Sequence, residues 1–409
     1  MPEQTNNPKI LNSPAIPVRL FIVLGIAMTV YYSGLYYIFP ALLDYVIGST
    51  GWSKVEYSAT LTIILVSSGL LAPLFGRGVD RGLGPLFLGL TGMLGGLGLF
   101  FCSLTSELWL FYASALLIGI ASGAGLYPIC FAFLRRLYGH GSVNIITVVT
   151  LFAGFASTIT YPLVRFLAGE FGWPVPFQVY ALALMLIGPL VLWATWGTDR
   201  APARPKAKGQ TSNFKPNGML VFLLISMSLL YFSHSSIISQ YVPLSQNLGI
   251  SEFWSGLGIM MIGPMQVTGR LIFLIFKDKI STGNRYLMVL SFILVAISVL
   301  ILRTIIPVDP MLLLFSLLQG IGLGTFSILR PQIIGETFGD HHVGQAGGAI
   351  TMGVQLLTAF APTLAALVGS HWGYQNLPIS LIGLVALSML SFLIFLQQRR
   401  NALLLAKSV

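Results

Sequence analysis

Twelve long apolar runs follow one another along this chain, at residues 18–42, 55–76, 84–104, 108–133, 143–168, 174–196, 217–243, 253–276, 286–304, 310–335, 344–369 and 376–397. Each is close to the ~20 residues that an α-helix needs to cross the hydrocarbon of a bilayer. The breaks between them are short, with one exception. Gly197 to Asn217 is polar, carries Pro202, Pro205 and Pro216 with five basic residues, and divides the runs into two sets of six. The pattern predicts an all-α integral membrane protein of twelve transmembrane helices in two pseudo-symmetric six-helix bundles. The expected organisation is a tail at 1–17, a bundle at 18–196, a linker at 197–217, a bundle at 218–397 and a tail at 398–409.

Composition and charge sharpen this reading. The chain is 55% hydrophobic and 8% charged, against about 25% charged in an average soluble protein. A net charge of +10 suggests nucleic acid until its distribution is read. The cations stand in the short breaks: Arg77, Arg81, Arg135, Arg136, the linker, Lys277, Lys279 and Arg285, with Arg399 and Arg400 at the end. The opposite breaks hold Lys54 and Arg303. Such a bias places both termini and the linker in the cytoplasm. The expected site is the plasma membrane, or the inner membrane of a bacterial cell, with lipid and a small molecule as partners, no nucleic acid, and a monomer as the unit. The first 17 residues do not resemble a cleaved signal peptide, so the first run is expected to remain a span.

Little points to an enzyme. Cys102 and Cys130 lie in apolar runs without metal-type spacing, Walker and dinucleotide motifs and HExxH are absent, and Asp340-His341-His342 reads as a loop rather than a metal site. No cofactor is expected. The two sets of runs do repeat, at an offset of about 200 residues: Tyr31-Tyr32-Ser33 returns as Tyr231-Phe232-Ser233, Gly119 and Gly123 as Gly320 and Gly324, and Pro162 and Gly169 as Pro362 and Gly369. Two parallel six-helix repeats leave this kind of trace.

One charge stands out among the cations that fall within the runs. Arg270 stands in the eighth, seven residues before Lys277, about 10 Å inside the helix end. An arginine in hydrocarbon costs several kcal/mol, so it faces a cavity or a partner. Apart from Glu56, at the edge of the second run, the apolar runs contain no Asp or Glu. Two readings stand: an unpaired cation awaiting a mobile anion, or a side chain that snorkels to the headgroups.

The break Gly76-Arg77-Gly78-Val79-Asp80-Arg81-Gly82 resembles the loop between spans two and three of the major facilitator superfamily. Arg77, Asp80 and Arg81 are then gating candidates. A narrower resemblance, to the monocarboxylate transporters and oxalate:formate antiporters, rests on Tyr36 to Asp44 with Gly51-Trp52-Ser53, on Phe171-Gly172-Trp173 with Phe177, on Leu248-Gly249-Ile250-Ser251, and on Arg270 eight residues before Asp278. In those families the arginine binds the substrate carboxylate. The chain departs from them in Tyr138 to Asn144, which replaces a basic, glycine-rich lead into span five, and in Thr351 to Gln355, which lacks the lysine of the oxalate carrier.

That resemblance places a substrate near the midplane between the halves. Tyr32 and Tyr36, four apart in span one, share a helix face and either bond a carboxylate or serve as packing aromatics, Tyr36 and Tyr37 as interface anchors. Tyr127 follows Gly119, Gly123 and Gly125 and points either into the cavity or into the packing. His234, well inside span seven, either carries a coupling proton or is a neutral, hydrogen-bonded core histidine. Gln266, Gln319 and Gln355 are candidates to orient a ligand, and Gln240 to line the outer cavity. Arg330 is a second anion contact, or else a gate residue paired with Glu336. The expected function is secondary active transport of small organic anions, chiefly monocarboxylates, by proton symport or exchange. The rival is export of drugs or lipophilic compounds on the same fold. Exporters of cations need a carboxylate inside the membrane, which favours the anion reading.

Overall fold

The computed structural model describes residues 18–138, 142–198, 217–276, 284–304 and 310–407. The side chains of Asp80, Val143, Asn144, Leu274, Phe276, Asn284, Thr304, Pro331, residues 339–345, Ala406 and Lys407 lie outside this description. So do Lys277, Asp278, Lys279 and most of the expected linker.

Among the described residues, 12 helices are long and apolar enough to cross a membrane. Spans one to six are Val18–Thr50, Lys54–Val79, Gly84–Ser103, Leu108–Tyr138, Ile145–Phe171 and Pro174–Thr195; spans seven to twelve are Gly218–Ser239, Glu252–Phe273, Arg285–Arg303, Met311–Phe338, Ala346–Trp372 and Tyr374–Leu405. The helices outrun several apolar stretches, and this corrects one expectation. Asp44, Glu170, Glu252 and Glu336 belong to helices after all, near their ends, because caps and turns rather than hydropathy set where a helix stops. Gly51, at φ 76°, ends span one in the left-handed conformation glycine tolerates. Ser53 and Glu56 then start span two with a reciprocal capping box, Ser53 Oγ accepting from the Glu56 amide at 3.1 Å and the Glu56 carboxylate from the Ser53 amide at 2.8 Å.

The repeated glycines do equivalent work in the two sets. A Cβ on Gly119 would stand 2.8 Å from the Ile64 carbonyl of span two, and one on Gly320 would stand 2.8 Å from the Ile262 carbonyl of span eight. Spans four and ten thereby approach spans two and eight at backbone distance, the packing small residues allow in a membrane. Spans three and six meet in the same way at Gly92 and Gly188.

Successive spans run in opposite directions, so the bundle has an Asp44 end and an Arg77 end. The buried apolar residues form two clusters. The larger joins spans one to six to the Asp44 end of the second set, through Ile237, Tyr241, Leu244, Ile262, Phe315 and Tyr374. The smaller belongs wholly to the second set, toward the Arg77 end, and holds Leu223, Phe273, Phe292, Phe326, Ile350 and Phe395. The two sets share one core at the Asp44 end, whereas at the Arg77 end the second set packs around its own.

Five spans are interrupted. Span one passes through a π-helical turn at Ser33–Tyr37. Span four breaks at Leu126, which is extended, and span five between Ala153 and Ala156. Span seven pauses at Gln240 before a short helix, Tyr241–Asn247, and span eleven pauses at Phe360 before Pro362. Interrupted backbone at membrane depth must find partners in protein or at a cavity, and the breaks in spans one, four and five adjoin the site described next.

Candidate functional site

Arg270 is 6% exposed, which places its guanidinium inside the bundle rather than at a headgroup surface. Its Nε donates to Ser327 Oγ of span ten at 3.2 Å, and one terminal nitrogen donates to the Thr150 carbonyl of span five at 3.0 Å. Thr150 sits just before the break in span five, and its carbonyl also accepts from the Gly154 amide at 3.1 Å. The guanidinium lies against the Tyr127 hydroxyl and in electrostatic range of Tyr37. No carboxylate among the described residues pairs with Arg270. Gln266 stands four residues earlier on the same span and is half-buried.

Tyrosines continue from this point across the bundle. The Tyr127 ring is 4.5 Å from Tyr32 and stacks on Phe131 at 4.8 Å. Tyr36 lies edge-on to Tyr37 at 5.2 Å, and its hydroxyl is 3.4 Å from Ser235 of span seven. Tyr32 is also in electrostatic range of Tyr231. Tyr32, Tyr36, Tyr37 and Tyr127 all keep partial exposure in mid-span. The expected common face of Tyr32 and Tyr36 needs correction. The π turn widens the helix between them, so Tyr32 meets span four while Tyr36 meets span seven, and Tyr37 turns inward to Arg270 rather than anchoring at an interface.

His234 is half-buried, and its Nδ1 is 3.2 Å from the Gln319 amide nitrogen. The Gln319 oxygen accepts from Ser298 Oγ at 2.5 Å, and that hydroxyl also reaches the Val295 carbonyl at 2.7 Å. Gln319 is 0% exposed, so both amide atoms are spent inside the second set and neither faces a ligand. Gln240 is likewise interior: it donates to Ser58 at 2.9 Å and accepts from Tyr374 at 3.2 Å, tying the sets together rather than lining a cavity. Arg330, half-buried on span ten, donates to Thr351 Oγ1 at 2.6 Å and stands 5.9 Å from the Tyr231 ring centre. Glu336 instead bonds Arg399 at 3.2 Å, so the expected Arg330–Glu336 gate pair is replaced by another. The Gln355 oxygen is buried without a partner, beside Gly69 of span two.

The sequence profile of the Major Facilitator Superfamily matches this chain twice, over residues 24–282 and 265–407. This chain belongs to the major facilitator superfamily. It is a secondary transporter and not an enzyme. The fold agrees with solved superfamily structures. A bacterial homolog to the human lysosomal transporter Spinster, inward-facing and occupied, superposes with a TM-score of 0.71 at 11% identity, over 92% of this chain and 96% of that one. The nucleoside transporter NupG, solved as a point mutant, gives 0.72 at 14% identity, over 92% and 99%. The unoccupied, inward-facing form of the Spinster homolog gives 0.71 at 12%, over 94% and 97%. No curated protein sequence matches this chain.

In this superfamily member the two ends of the bundle differ in how they are tied. At the Asp44 end, Arg165 pairs with Glu252 across spans five and eight, Gln246 donates to Asp44 at 3.2 Å, and Lys54 stands 5.1 Å from the Tyr374 ring centre. A cavity of about 170 Å³ opens there between Asp44, Arg165, Gln246 and Glu252, away from Arg270. At the other end, Arg77 and Arg81 are exposed, and Arg136 donates to the Val79 carbonyl at 2.5 Å. The Asp80 side chain, third of the gating candidates, lies outside the described residues. Sequence reading passed over Thr150, whose contribution is a backbone carbonyl, and over Ser327. Tyr231 had a signal, since the repeat pairs it with the Tyr31-Tyr32 step.

Proposed function

We propose that this transporter carries a small organic acid, with Arg270 as the cation that receives a carboxylate. The observation behind this is a guanidinium buried in mid-span, bonded to a hydroxyl and a carbonyl and to no acid among the described residues, with tyrosine hydroxyls beside it. A carboxylate entering the cavity sheds water, and a planar fork of N–H donors replaces that hydration in a bidentate way. Tyr127, Tyr32, Tyr36 and Tyr37 would add hydrogen bonds and apolar walls, with Gln266 at the rim. Monocarboxylates are the simplest cargo of this kind. The halves would rock about the site, as in other inverted or parallel repeat transporters. With both termini cytoplasmic, the Asp44 end is external, and the shared core there corresponds to a state closed to the outside.

His234 is the proposed coupling group. With the Gln319 nitrogen facing it, Nδ1 accepts and the neutral ring carries its proton on Nε2. Turning the amide over would let the Gln319 oxygen accept from a protonated Nδ1, while Ser298 Oγ accepts from the Gln319 nitrogen and donates its O–H to the Val295 carbonyl. Amide orientation follows the hydrogen-bond network, so the network has a satisfied arrangement for either charge state. His234→Gln should abolish pH-driven accumulation and leave substrate exchange largely intact. Unchanged proton-coupled uptake in that variant would remove His234 from the mechanism. The reading as a whole is tested by uptake of labelled lactate and other short acids into proteoliposomes. Uptake of lipophilic cations, with no response to any acid, would favour the export reading instead.

A further inference from the structure

Arg270 is matched by a second arginine in the same position electrically. Arg330 is half-buried, bonds a threonine hydroxyl and faces an aromatic ring, and no acid among the described residues pairs with it. It is not aimed at a membrane surface, because its contacts lie on spans seven and eleven. Ser327, which accepts from Arg270, is one helical turn from Arg330 on span ten. The two guanidiniums therefore stand at neighbouring depths along that span. The tyrosine layer runs between them: Tyr127 against Arg270, Tyr32 against Tyr127, Tyr231 near Tyr32, and Arg330 over Tyr231. Each guanidinium has five N–H donors. Arg330 gives one to Thr351, and Arg270 gives two to Ser327 and Thr150.

Two cations without acids in one low-dielectric region repel each other and are each poorly solvated. A monoanion relieves one of them. We propose that the cargo carries two anionic groups, a carboxylate on Arg270 and a second carboxylate or a phosphate on Arg330, with its connecting carbons against the tyrosine layer. This rests on the reading of Arg270 given above and extends it to the substrate's other end.

The test uses the purified full-length protein and thermal-shift titration, in which a ligand of the folded state raises the melting temperature. Propionate, α,ω-dicarboxylates of increasing length from succinate, and glycerol phosphate are compared on wild type, Arg330→Gln, Arg330→Lys and Arg270→Gln. The proposal expects one dianion to bind at least ~30-fold more tightly than the monoanion, by the usual loss when one partner of a buried charge pair is removed. Arg330→Gln should bring that dianion down to monoanion affinity without weakening propionate, and Arg330→Lys should fall between. Arg270→Gln should weaken both classes. A dicarboxylate optimum, or a phosphate ester above every dicarboxylate, would each support the proposal and say which second group is read. An unchanged dianion preference in Arg330→Gln and Arg330→Lys would overturn it, as would a wild type that binds propionate as well as every dianion. Should Arg270→Gln alter neither class, the reading of Arg270 fails and this one with it.

Discussion

Two seams join the halves, and they are built differently. Spans five and eight meet backbone to backbone. A Cβ on Gly263 would come within 2.0 Å of the Gly154 carbonyl oxygen, and one on Gly154 would come within 2.2 Å of Val267. Polar ties run down the same seam in antiparallel order: Arg165 to Glu252, Thr158 to the Met260 carbonyl at 2.7 Å, and Arg270 to the Thr150 carbonyl at 3.0 Å. Spans two and eleven meet side chain to side chain. Thr62 and Thr363 share a hydrogen bond of 2.8 Å, while a Cβ on Gly69 would find Gln355 at 3.3 Å and Leu356 at 3.4 Å. One seam leaves no room for a methyl group and holds the buried cation. The other is tight by only a few tenths of an ångström and has an unpartnered amide oxygen at Gln355. The stiff seam is thus where a carboxylate would be sensed by both halves at once, since Arg270 already spans them.

Methyl groups probe this difference most strongly. Gly263→Ala forces a backbone apart, and overpacking of this kind costs about 1–3 kcal/mol or more. Gly69→Ala asks its neighbours for a few tenths of an ångström and should cost well under ~1 kcal/mol. Thermal melts of the two variants should differ clearly, with transport lost in the first and kept in the second. Equal melts would mean the two seams are alike.

A second expectation concerns motion. Alternating access requires the Asp44 end to open, so a bond across the looser seam there should stop transport. The pair Thr62→Cys with Thr363→Cys replaces two hydroxyls already in contact. The native Cys102 and Cys130 are buried, so the background should be low. Oxidised protein should lose uptake and recover it on reduction. Uptake that survives full cross-linking would show that this end does not move.

The smallest effect is expected at Arg165–Glu252. The Glu252 side chain is 78% exposed, and exposed pairs contribute only ~0.2–1 kcal/mol. Glu252→Gln should therefore leave the melt nearly unchanged and shift the balance of open and closed forms only slightly, measurable as a modest change in uptake that vanishes at high salt. Loss of folding would mean that the pair is more deeply involved in the seam.

Much of this architecture was legible in the chain. Twelve apolar runs mark the spans because lipid admits little else, and the glycine pairs at Gly119 and Gly320 mark backbone contacts that the repeat preserves. Arg270 was legible for the same reason, as a charge where lipid forbids one. What surrounds it was not. Thr150 acts through its carbonyl, and any residue has one. The π turn at Ser33–Tyr37 rotates Tyr37 toward Arg270, and residue spacing alone assumes a regular helix. The burial of Gln319 depends on partners from two other spans, His234 and Ser298, which the sequence does not bring together. Acids such as Asp44 and Glu252 escaped the spans because hydropathy ends before the helix does.

The most direct test of the account is substrate binding and uptake by Arg270→Ala and Arg270→Lys, in protein shown to reach the membrane at wild-type levels. Removing one partner of a buried, hydrogen-bonded charge pair costs roughly 2–5 kcal/mol, so Arg270→Ala should bind its acid at least ~30-fold more weakly. Arg270→Lys keeps the charge without the planar fork and should fall between the two. The melting temperature of the empty protein should move little, because the alanine loses two hydrogen bonds and an uncompensated charge together. Near-normal uptake of the acid by Arg270→Ala would contradict the account.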